Sequence, residues 1–190
     1  MKTVVLFVTL LASSFFAFAD SFRYLSPNET LADGDIISIV SLAPDSSGQC
    51  LAGGAHGDDA AAVTLTVPAP GRQSATRWRV SASAPGVYAL QCLGISDGPM
   101  WLNGGTLSGR VALALSPNGV SGASWGVYRE GTGVNFKCLG KAEGVRWLTT
   151  AGTGRVALAA EPEGLPALWQ VQLWKKSPTA GTAAQSESKQ

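Results

Sequence analysis

The chain contains three copies of one sequence unit, and this repetition restricts its fold more than any other feature. The second and third copies are the clearest, because both contain Gly-Arg-Val-Ala-Leu-Ala, at residues 109–114 and 154–159. Each of these copies also has a cysteine ten residues before the leucine of a Trp-Leu pair, and each closes with Trp-x-Val. The cysteine and the closing tryptophan are Cys92 and Trp125 in one copy, Cys138 and Trp169 in the other.

A weaker first copy precedes these two. Its opening segment, residues 37–43, has Ser41 at the cysteine position, and Leu51 follows ten residues later. Cys50 replaces the tryptophan of the Trp-Leu pair, and Trp78 begins the closing Trp-x-Val. The closing tryptophans are 47 and 44 residues apart, a difference that loop insertions between fixed strands would produce. The three units are therefore assigned to residues 36–82, 83–130 and 131–174.

Each repeated segment has the pattern of a β-strand. Apolar and more polar residues alternate in segments such as 88–92 and 134–138. Runs rich in Gly, Pro, Asn and Asp separate the segments, and no stretch has a helical stripe. The sequence therefore predicts an all-β domain with four short strands in each of the three units, twelve strands in all. The constant spacing predicts two core layers, Ile39, Leu90 and Phe136 in one and Leu51, Leu102 and Leu148 in the other.

Three four-stranded units resemble the β-trefoil, in which a six-stranded barrel is capped by three hairpins around a pseudo-threefold axis. The pattern aromatic-Leu, Gly-x-Val-x-Leu and Trp-x-Val is most similar to fascin and growth-factor units, and the resemblance covers residues 36–174. A three-bladed propeller-like array is the rival architecture, but propellers usually have about four blades or more. The β-trefoil superfamily also includes ricin-B-type lectins and Kunitz-type trypsin inhibitors. The resemblance therefore implies the fold and leaves the function open.

Residues 1–19 have the pattern of a cleaved export signal. Lys2 precedes an apolar run from Val4 to Ala19, which is 16 residues long and shorter than the about 20 residues of a membrane-spanning helix. The run ends in Ala-Phe-Ala, a small-x-small cleavage pattern. We therefore expect a secreted or periplasmic protein that is not inserted in a membrane after cleavage.

Two segments flank the predicted domain. Residues 20–35 form an N-terminal lead-in that contains Asn28-Glu-Thr30, an acceptor pattern for N-glycosylation in a eukaryotic secretory pathway. Residues 175–190 have no large apolar side chain, so we expect a disordered tail.

The charge of the chain is low and balanced. Without the signal, which carries only Lys2, the chain has 13 basic and 13 acidic residues, and charged residues make up 14% of the whole sequence. This balance leaves no net field to attract nucleic acid or an acidic membrane, so neither is expected as a partner. A surface poor in charge instead suits burial against another macromolecule.

The sequence offers no constellation for catalysis or for a metal. His56 is the only histidine, and Asp58 and Asp59 lie near it in a predicted hairpin tip, but no nucleophile accompanies them. The two aspartates lack the spacing of a calcium loop, which needs about six oxygen ligands. The cysteines form no Cys-x-x-Cys pair that would indicate a zinc or redox site. We therefore expect a protein that is not an enzyme and has no cofactor.

The three cysteines are expected to be small buried residues. Their odd number leaves at least one thiol without an internal partner. Cys92 and Cys138 occupy equivalent positions in different units, so we expect them to be too far apart for a disulfide, which needs Cα atoms within about 7 Å. A bond between Cys50 and Cys92 is easier geometrically, because strands of adjacent units can approach.

The repeated tryptophans divide into two sets. Trp78, Trp125 and Trp169 each lie two residues before a valine on the same strand face, which predicts that they are structural. Trp101 and Trp147 each precede a core leucine, so they should point to the opposite side of their strands. This second set either forms a binding surface or is structural, since in fascin and growth-factor units an aromatic at this place is often partly packed under the hairpin.

The resemblance to ricin-B-type lectins implies a candidate sugar site. In those lectins an Asp on the first loop, an aromatic platform and a later Asn or Gln bind one sugar per unit. Asp97, Trp101 and Asn103 match these roles in unit two, with the indole against the apolar sugar face. In unit three the corresponding residues are Glu143 and Trp147, and Thr149 or Thr150 replaces the amide.

Three functions from different classes agree with these observations. The first is a secreted carbohydrate-binding module, although unit one has no platform and the lectins' Gln-x-Trp occurs once, as Gln172-Leu-Trp174, out of register with the repeat. The second is a structural or protein-binding subunit of an extracellular or periplasmic assembly. The third is a Kunitz-type protease inhibitor, from which the chain departs because it lacks the four cysteines of two disulfides. A glycan or a protein is the expected partner, and the oligomeric state is left open.

Overall fold

The computed structural model describes residues 21–54, 61–69, 73–105, 110–118, 121–140, 144–152 and 154–177 of the chain. The predicted export signal, His56, Asp58 and Asp59 lie outside these residues. Within the described ranges the regular structure consists of β-strands and short 3-10 turns. None of it is a helix long and apolar enough to cross a membrane.

The described part of the chain forms thirteen strands. They are β1 (Arg23–Tyr24), β2 (Ile36–Ser41), β3 (Cys50–Gly53), β4 (Val63–Thr66), β5 (Trp78–Ala84), β6 (Val87–Cys92), β7 (Trp101–Asn103), β8 (Ala112–Ala114), β9 (Trp125–Glu130), β10 (Gly133–Cys138), β11 (Trp147–Thr150), β12 (Val156–Ala159) and β13 (Trp169–Lys175). Twelve of these strands are the four predicted for each unit, and β1 is an additional strand in the lead-in.

Six strands close into a barrel. β2 pairs with β5, β5 with β6, β6 with β9, β9 with β10, β10 with β13, and β13 returns to β2. All these pairings are antiparallel, and closure leaves the ring without an unpaired edge. The other six repeat strands form three hairpins, β3 with β4, β7 with β8 and β11 with β12. The predicted all-β architecture with threefold internal symmetry is confirmed.

The three closing tryptophans occupy the same place in every unit. Each lies opposite the cysteine or serine of the repeat: Trp78 opposite Cys92, Trp125 opposite Cys138 and Trp169 opposite Ser41. Each indole Nε1–H donates to the carbonyl oxygen of a hairpin leucine: Trp78 to Leu51 at 2.9 Å, Trp125 to Leu102 at 2.9 Å and Trp169 to Leu148 at 3.0 Å. A buried indole needs such an acceptor, so one hydrogen bond per unit ties a hairpin to the barrel.

The predicted burial of the six core residues is also confirmed. All six residues are completely buried: Ile39, Leu90, Phe136, Leu51, Leu102 and Leu148. The closing tryptophans are buried with them, so the inner face of each unit repeats both the positions and the packing. Removal of this apolar surface from water supplies the main driving force for the fold.

The three hairpins meet around the pseudo-threefold axis. Single backbone bridges join them in pairs: Ala62 with Ala112, Arg110 with Ala157, and Arg155 with Thr64. In every bridge the residue before the strand valine of one unit lies opposite the residue after the valine of another unit. These bridges form a closed triangle of contacts at one end of the barrel.

The lead-in is part of the folded domain. β1 pairs with β13, and Leu25 and Leu31 of the lead-in are buried in the core. The completely buried carboxylate of Asp35 accepts hydrogen bonds from the backbone N–H groups of Ala32 and Ser177, each at 2.8 Å. The sequence predicted only a lead-in outside the repeat, so β1 is an addition to the twelve predicted strands.

The C-terminal end of the domain lies three residues later than predicted. β13 continues to Lys175, and the ammonium group of Lys176 lies 3.2 Å from the Asp35 carboxylate. The tail boundary at residue 175 was therefore placed too early, because the order of Lys176 and Ser177 comes from hydrogen bonds and charge rather than from apolar burial. Residues 178–190 lie outside the described ranges.

The three cysteines are buried and free, which confirms the prediction that Cys92 and Cys138 are not bonded to each other. Close packing against a glycine explains the small residue at two of these positions. A Cβ atom at Gly53 would lie 2.9 Å from the Cys92 Sγ, and one at Gly104 would lie 3.1 Å from the Cys138 Sγ. Burial raises the pKa of the Cys50 thiol to about 11 and also raises the pKa of Cys92. These two thiols are therefore protonated at neutral pH and are poor nucleophiles.

Candidate functional site

The predicted unit-two residues lie on and beside strand β7. Trp101 and Asn103 share the outer face of this strand, because the residue between them, Leu102, is buried in the core. Trp101 is half-buried, and it lies across the sheet from Gln91 of β6. Asp97 is exposed in the turn before β7, where its carboxylate is 3.5 Å from the Ser96 hydroxyl. The structure thus places Trp101 and Asn103 together and puts Asp97 in the loop that leads to them.

Asn103 also has a structural task. Its side-chain oxygen accepts a hydrogen bond from the Gly105 backbone N–H at 2.8 Å, and Gly122 packs directly against the same oxygen. The space at Gly122 leaves no room for a side chain, so this contact holds two loops together. One lone pair of the amide oxygen is therefore used within the protein, and the amide N–H groups are what Asn103 can offer to a sugar hydroxyl.

The predicted unit-three residues lie on strand β11. Trp147 and Thr149 share its outer face, whereas Thr150 has the same direction as the buried Leu148. Of the two threonines, only Thr149 therefore lies on the same face of β11 as Trp147, which a shared binding site requires. Glu143 lies outside the described residues.

Trp147 belongs to a cluster that spans three neighbouring strands. Lys137 of β10 pairs with Gly126 of β9 on one side and with Trp147 of β11 on the other. The Tyr128 ring, two residues after Gly126, lies with its centroid 5.4 Å from that of Trp147 and its plane at 65° to it. The Lys137 Nζ lies 4.8 Å from the Trp147 ring centroid and 5.7 Å from that of Tyr128. We call Tyr128, Lys137 and Trp147 the Tyr128 cluster.

The position of the Tyr128 ring depends on the glycine beside it. A Cβ atom at Gly126 would lie 2.8 Å from the Tyr128 Cε2 atom and 3.1 Å from its phenol oxygen. The ring therefore lies over the backbone of Gly126, in space that any other residue would fill. Tyr128 nevertheless remains 45% exposed. The arrangement presents an aromatic surface to solvent next to a cation and a second ring.

A second aromatic group lies where the lead-in meets β13. The Phe22 ring centroid is 5.1 Å from that of Trp174 and 5.6 Å from that of Tyr24. The Arg77 guanidinium carbon lies 4.1 Å from the Trp174 ring centroid, and the Trp174 indole N–H donates to the Ser38 hydroxyl at 2.8 Å. We call Phe22, Tyr24, Trp174 and Arg77 the Phe22 cluster. Trp174 therefore faces the outside of the barrel, as expected for a Gln-x-Trp segment that is out of register with the repeat.

Sequence reasoning identified Trp147 but missed its partners. The three units differ at the outward positions of Gly126, Tyr128 and Lys137, so a search for repeated residues does not find them. The available signal was an aromatic at the end of unit two and a lysine at the start of unit three, on adjacent predicted strands. Phe22 and Tyr24 were missed because no repeat or long apolar pattern marks the lead-in as a strand.

Two further features bear on the site predictions. Asn28 is exposed in a turn of the lead-in, and its glycosylation stays a prediction. Among the residues that the structure describes, no group of three or more His, Cys, Asp and Glu side chains is placed to hold a metal ion.

Comparison with known proteins identifies the fold. No protein-family model matches the chain, and no curated protein matches it. Solved structures do match. The chain superposes on the BEL β-trefoil with a TM-score of 0.59 and 12% identity, covering 77% of this chain and 97% of that one. The match to Cry35Ab1 has a TM-score of 0.62 and 14% identity, covering 78% and 38%.

A third match is to a Polyporus squamosus lectin that was solved with the influenza-binding epitope Neu5Acα2-6Galβ1-4GlcNAc. Its TM-score is 0.54 with 13% identity, and the alignment covers 75% of this chain and 50% of the lectin chain. The chain thus spans half or less of the length of two of these proteins. At such low identity the likeness shows the fold alone, and it is plain: this is an all-β protein with pseudo-threefold symmetry. It has the β-trefoil fold.

Proposed function

We propose that the protein is an exported, non-catalytic module that binds carbohydrate at the Tyr128 cluster. The observation that carries the proposal is the exposed Tyr128 ring, which lies over Gly126 with Lys137 and Trp147 beside it. An aromatic ring on a sheet surface packs well against the C–H face of a pyranose, because both surfaces are flat and apolar. The Lys137 ammonium and the Thr149 hydroxyl supply hydrogen-bond donors for sugar hydroxyls near the ring.

The comparison with lectins supports the class of ligand without defining it. The Polyporus squamosus protein is a lectin of the same fold, and its ligand is a sialylated trisaccharide. The β-trefoil fold hosts several functions, so this support is an analogy and the residues of the Tyr128 cluster carry the chemical argument. Unit two, with Trp101, Asn103 and Asp97, is the alternative location for the same function.

Export is the second part of the proposal. It rests on the apolar run of residues 1–19 and on the Ala-Phe-Ala that ends it. Expression of the full chain in a secreting host, followed by N-terminal sequencing of the product, is expected to give Asp20 as the first residue. A product that retains residues 1–19 would contradict this part and leave the binding part untouched.

A glycan array with the chain from residue 20 onward tests the binding part. One surface ring with two or three hydrogen bonds typically gives millimolar to high-micromolar affinity, about 4–6 kcal/mol. We expect Tyr128→Ala and Trp147→Ala to abolish binding, and Trp101→Ala, at the equivalent position of unit two, to preserve it. The opposite pattern would move the site to unit two. Absence of binding to every glycan on a multivalent array would refute the proposal.

A structural or protein-binding role is the second candidate. The observation that favours it is the Phe22 cluster, in which Phe22 is 42% exposed and Tyr24 is 50% exposed. Both residues lie at or next to β1, an edge strand, and exposed aromatic side chains are enriched in protein interfaces. Sedimentation of the purified chain, compared with Phe22→Ser and Tyr24→Ser variants, would reveal self-association through this surface.

A further inference from the structure

A pocket with a volume of about 430 Å³ lies on the outer face of the unit-one hairpin. Ala52 of β3 and Thr64 of β4 lie opposite each other at its base, and Thr66 follows on the same face of β4. Ala75 and Thr76, in the 3-10 turn before β5, form one side. We call this space the unit-one pocket.

The corresponding space in unit two is filled by a side chain. Asn103 is the counterpart of Ala52, because each follows the buried leucine of its hairpin. Gly122 is the counterpart of Ala75, because each lies three residues before its closing tryptophan. The Asn103 oxygen accepts the Gly105 N–H at 2.8 Å and packs against Gly122, so the amide occupies the gap between hairpin and turn. In unit one the methyl groups of two alanines replace this arrangement and leave the gap open.

The side of the pocket that the turn forms is held in place from behind. The Cys92 thiol donates to the Ala75 carbonyl oxygen at 3.5 Å, and the Cys138 thiol donates to the Gly122 carbonyl oxygen at 3.5 Å. Because this hydrogen bond repeats, the two turns have equivalent positions, and the pocket results from smaller side chains rather than from a displaced turn. Thr76, the next residue, is almost completely buried. The pocket is therefore largely pre-formed, as is usual for small-molecule sites.

The chemistry of the pocket favours an uncharged ligand. Alanine, glycine, valine, leucine and proline make up most of the lining, and none of the described lining residues is charged. Transfer of an ionic group into such surroundings without a partner has a large free-energy cost. The hydroxyl groups of Thr64 and Thr66 can each donate or accept a hydrogen bond. An apolar cavity of about 150 Å³ holds benzene, so the larger volume here is sufficient for two fused rings.

We propose that the unit-one pocket binds a small uncharged molecule with a flat apolar ring system. The rings occupy the gap that the Asn103 amide fills in unit two, and the Thr64 or Thr66 hydroxyl binds one polar group of the ligand. Removal of apolar surface from water supplies most of the affinity. The residues of the Tyr128 cluster are not among the described lining residues, so the proposal does not depend on carbohydrate binding there.

NMR titration of the isotope-labelled chain from residue 20 onward with indole tests the proposal. Indole should give saturable shifts at the backbone amides of Ala52, Thr64 and Ala75, whereas the counterpart amides of Asn103 and Gly122 should stay unchanged. Indole-3-carboxylate has the same rings and a negative charge, so its Kd should be about tenfold higher or more. Absence of saturable shifts at the pocket, or equal affinity for the carboxylate, would refute the proposal.

Variants that fill the pocket should remove binding. Ala52→Asn combined with Ala75→Gly reproduces the residue pair of unit two, so it should raise the Kd for indole about tenfold or more. Ala52→Leu fills the same space with an apolar side chain and should have the same effect, so a folding defect in one of the two does not decide the result. Ala82→Asn is the matched control, because Ala82 is an exposed residue of β5 outside the pocket lining, and it should change the Kd by less than about twofold. Unchanged binding in a folded, filled variant, or equal loss in the control, would overturn the assignment.

A second control separates the pocket from the aromatic surface of the protein. Indole also stacks on exposed rings such as that of Tyr128. Tyr128→Ala should leave the Kd measured at the Ala52 amide unaltered while it abolishes glycan binding. Loss of both would show that indole and glycan share the Tyr128 cluster and would contradict a separate pocket. Indole binding at the pocket of a protein that binds no glycan would refute the carbohydrate proposal alone.

Discussion

Units two and three have the same inner face and different outer faces. Inside, Leu102 and Leu148 are both completely buried and both accept the indole N–H of a closing tryptophan. Outside, the row of three strands that ends at Trp101 of unit two carries Gln91 and, from the end of unit one, Arg79. The row that ends at Trp147 of unit three carries Lys137 and, from the end of unit two, Gly126. The core thus keeps its residues wherever packing repeats, while the outer rows are free to differ.

One substitution accounts for much of this difference. Gly126 occupies the position of Arg79, and only a glycine leaves space for the Tyr128 ring above the sheet. The residue that corresponds to Tyr128 in the earlier unit is Ser81. The exposed aromatic surface of the Tyr128 cluster therefore depends on the missing side chain at Gly126 as well as on the ring of Tyr128.

Truncation of the inner leucines should give the largest effect and should treat the two units alike. Leu102→Ala and Leu148→Ala are each expected to lower the free energy of unfolding by about 2–5 kcal/mol, because both remove a completely buried side chain. Urea denaturation of both variants measures this. If the two losses of unfolding free energy differ by more than the width of this range, the inner faces of the two units are not energetically equivalent.

Filling the space at Gly126 should affect the Tyr128 cluster and leave the matching row around Trp101 unchanged. Gly126→Ala displaces the Tyr128 ring, so we expect glycan affinity to fall about tenfold or more, equivalent to about 1.4 kcal/mol. Titration against the best ligand from the array gives the number. Gly131→Ala is not a suitable control, because Gly131 has a φ of 57° and a side chain would strain it. Arg79→Ala, at the matching position of unit one, is the suitable control and should retain affinity.

The two outward tryptophans should differ by a smaller amount. Trp147→Ala is expected to destabilise the protein by about 1 kcal/mol more than Trp101→Ala, because Trp147 has an edge-to-face contact with Tyr128 and Trp101 has no such ring pair in the described residues. Thermal melts of both variants provide the measurement. Combination with Tyr128→Ala is the check, since the difference between the tryptophans should then disappear.

The smallest expected effect concerns the lead-in. The Arg23 hydrogen bond lowers the pKa of Glu29 from its ordinary value of 4.5 to about 2, with further help from the Ser26 N–H and from Lys176. A carboxyl group with a lowered pKa stabilises the folded state above the unfolded pKa, and that contribution is lost as the pH falls from about 4.5 towards 2. Surface ion pairs are worth about 0–1 kcal/mol, so Glu29→Gln should remove only a small part of the acid sensitivity. Denaturation at pH 7 and at pH 3 compares the two proteins.

The repeat allowed the core to be predicted because buried positions obey one rule in every unit. Leu51, Leu102 and Leu148 are constrained by the same packing, so their constant spacing was visible in the sequence. The binding candidates follow no such rule. Tyr128 meets Lys137 and Trp147 only through the pairing of β9, β10 and β11, and residue spacing alone does not define that register.

The buried carboxylate of Asp35 has a consequence for how the domain can be connected. It binds the N–H groups of Ala32 and Ser177, so the segments that enter and leave the barrel lie side by side. A short peptide could therefore join them, and the chain could be opened instead at an exposed turn such as the one at Gly86. In a circular permutant of this kind, strand order along the chain would change while every barrel pairing stayed the same. Covalent order and spatial order are thus separable in this protein.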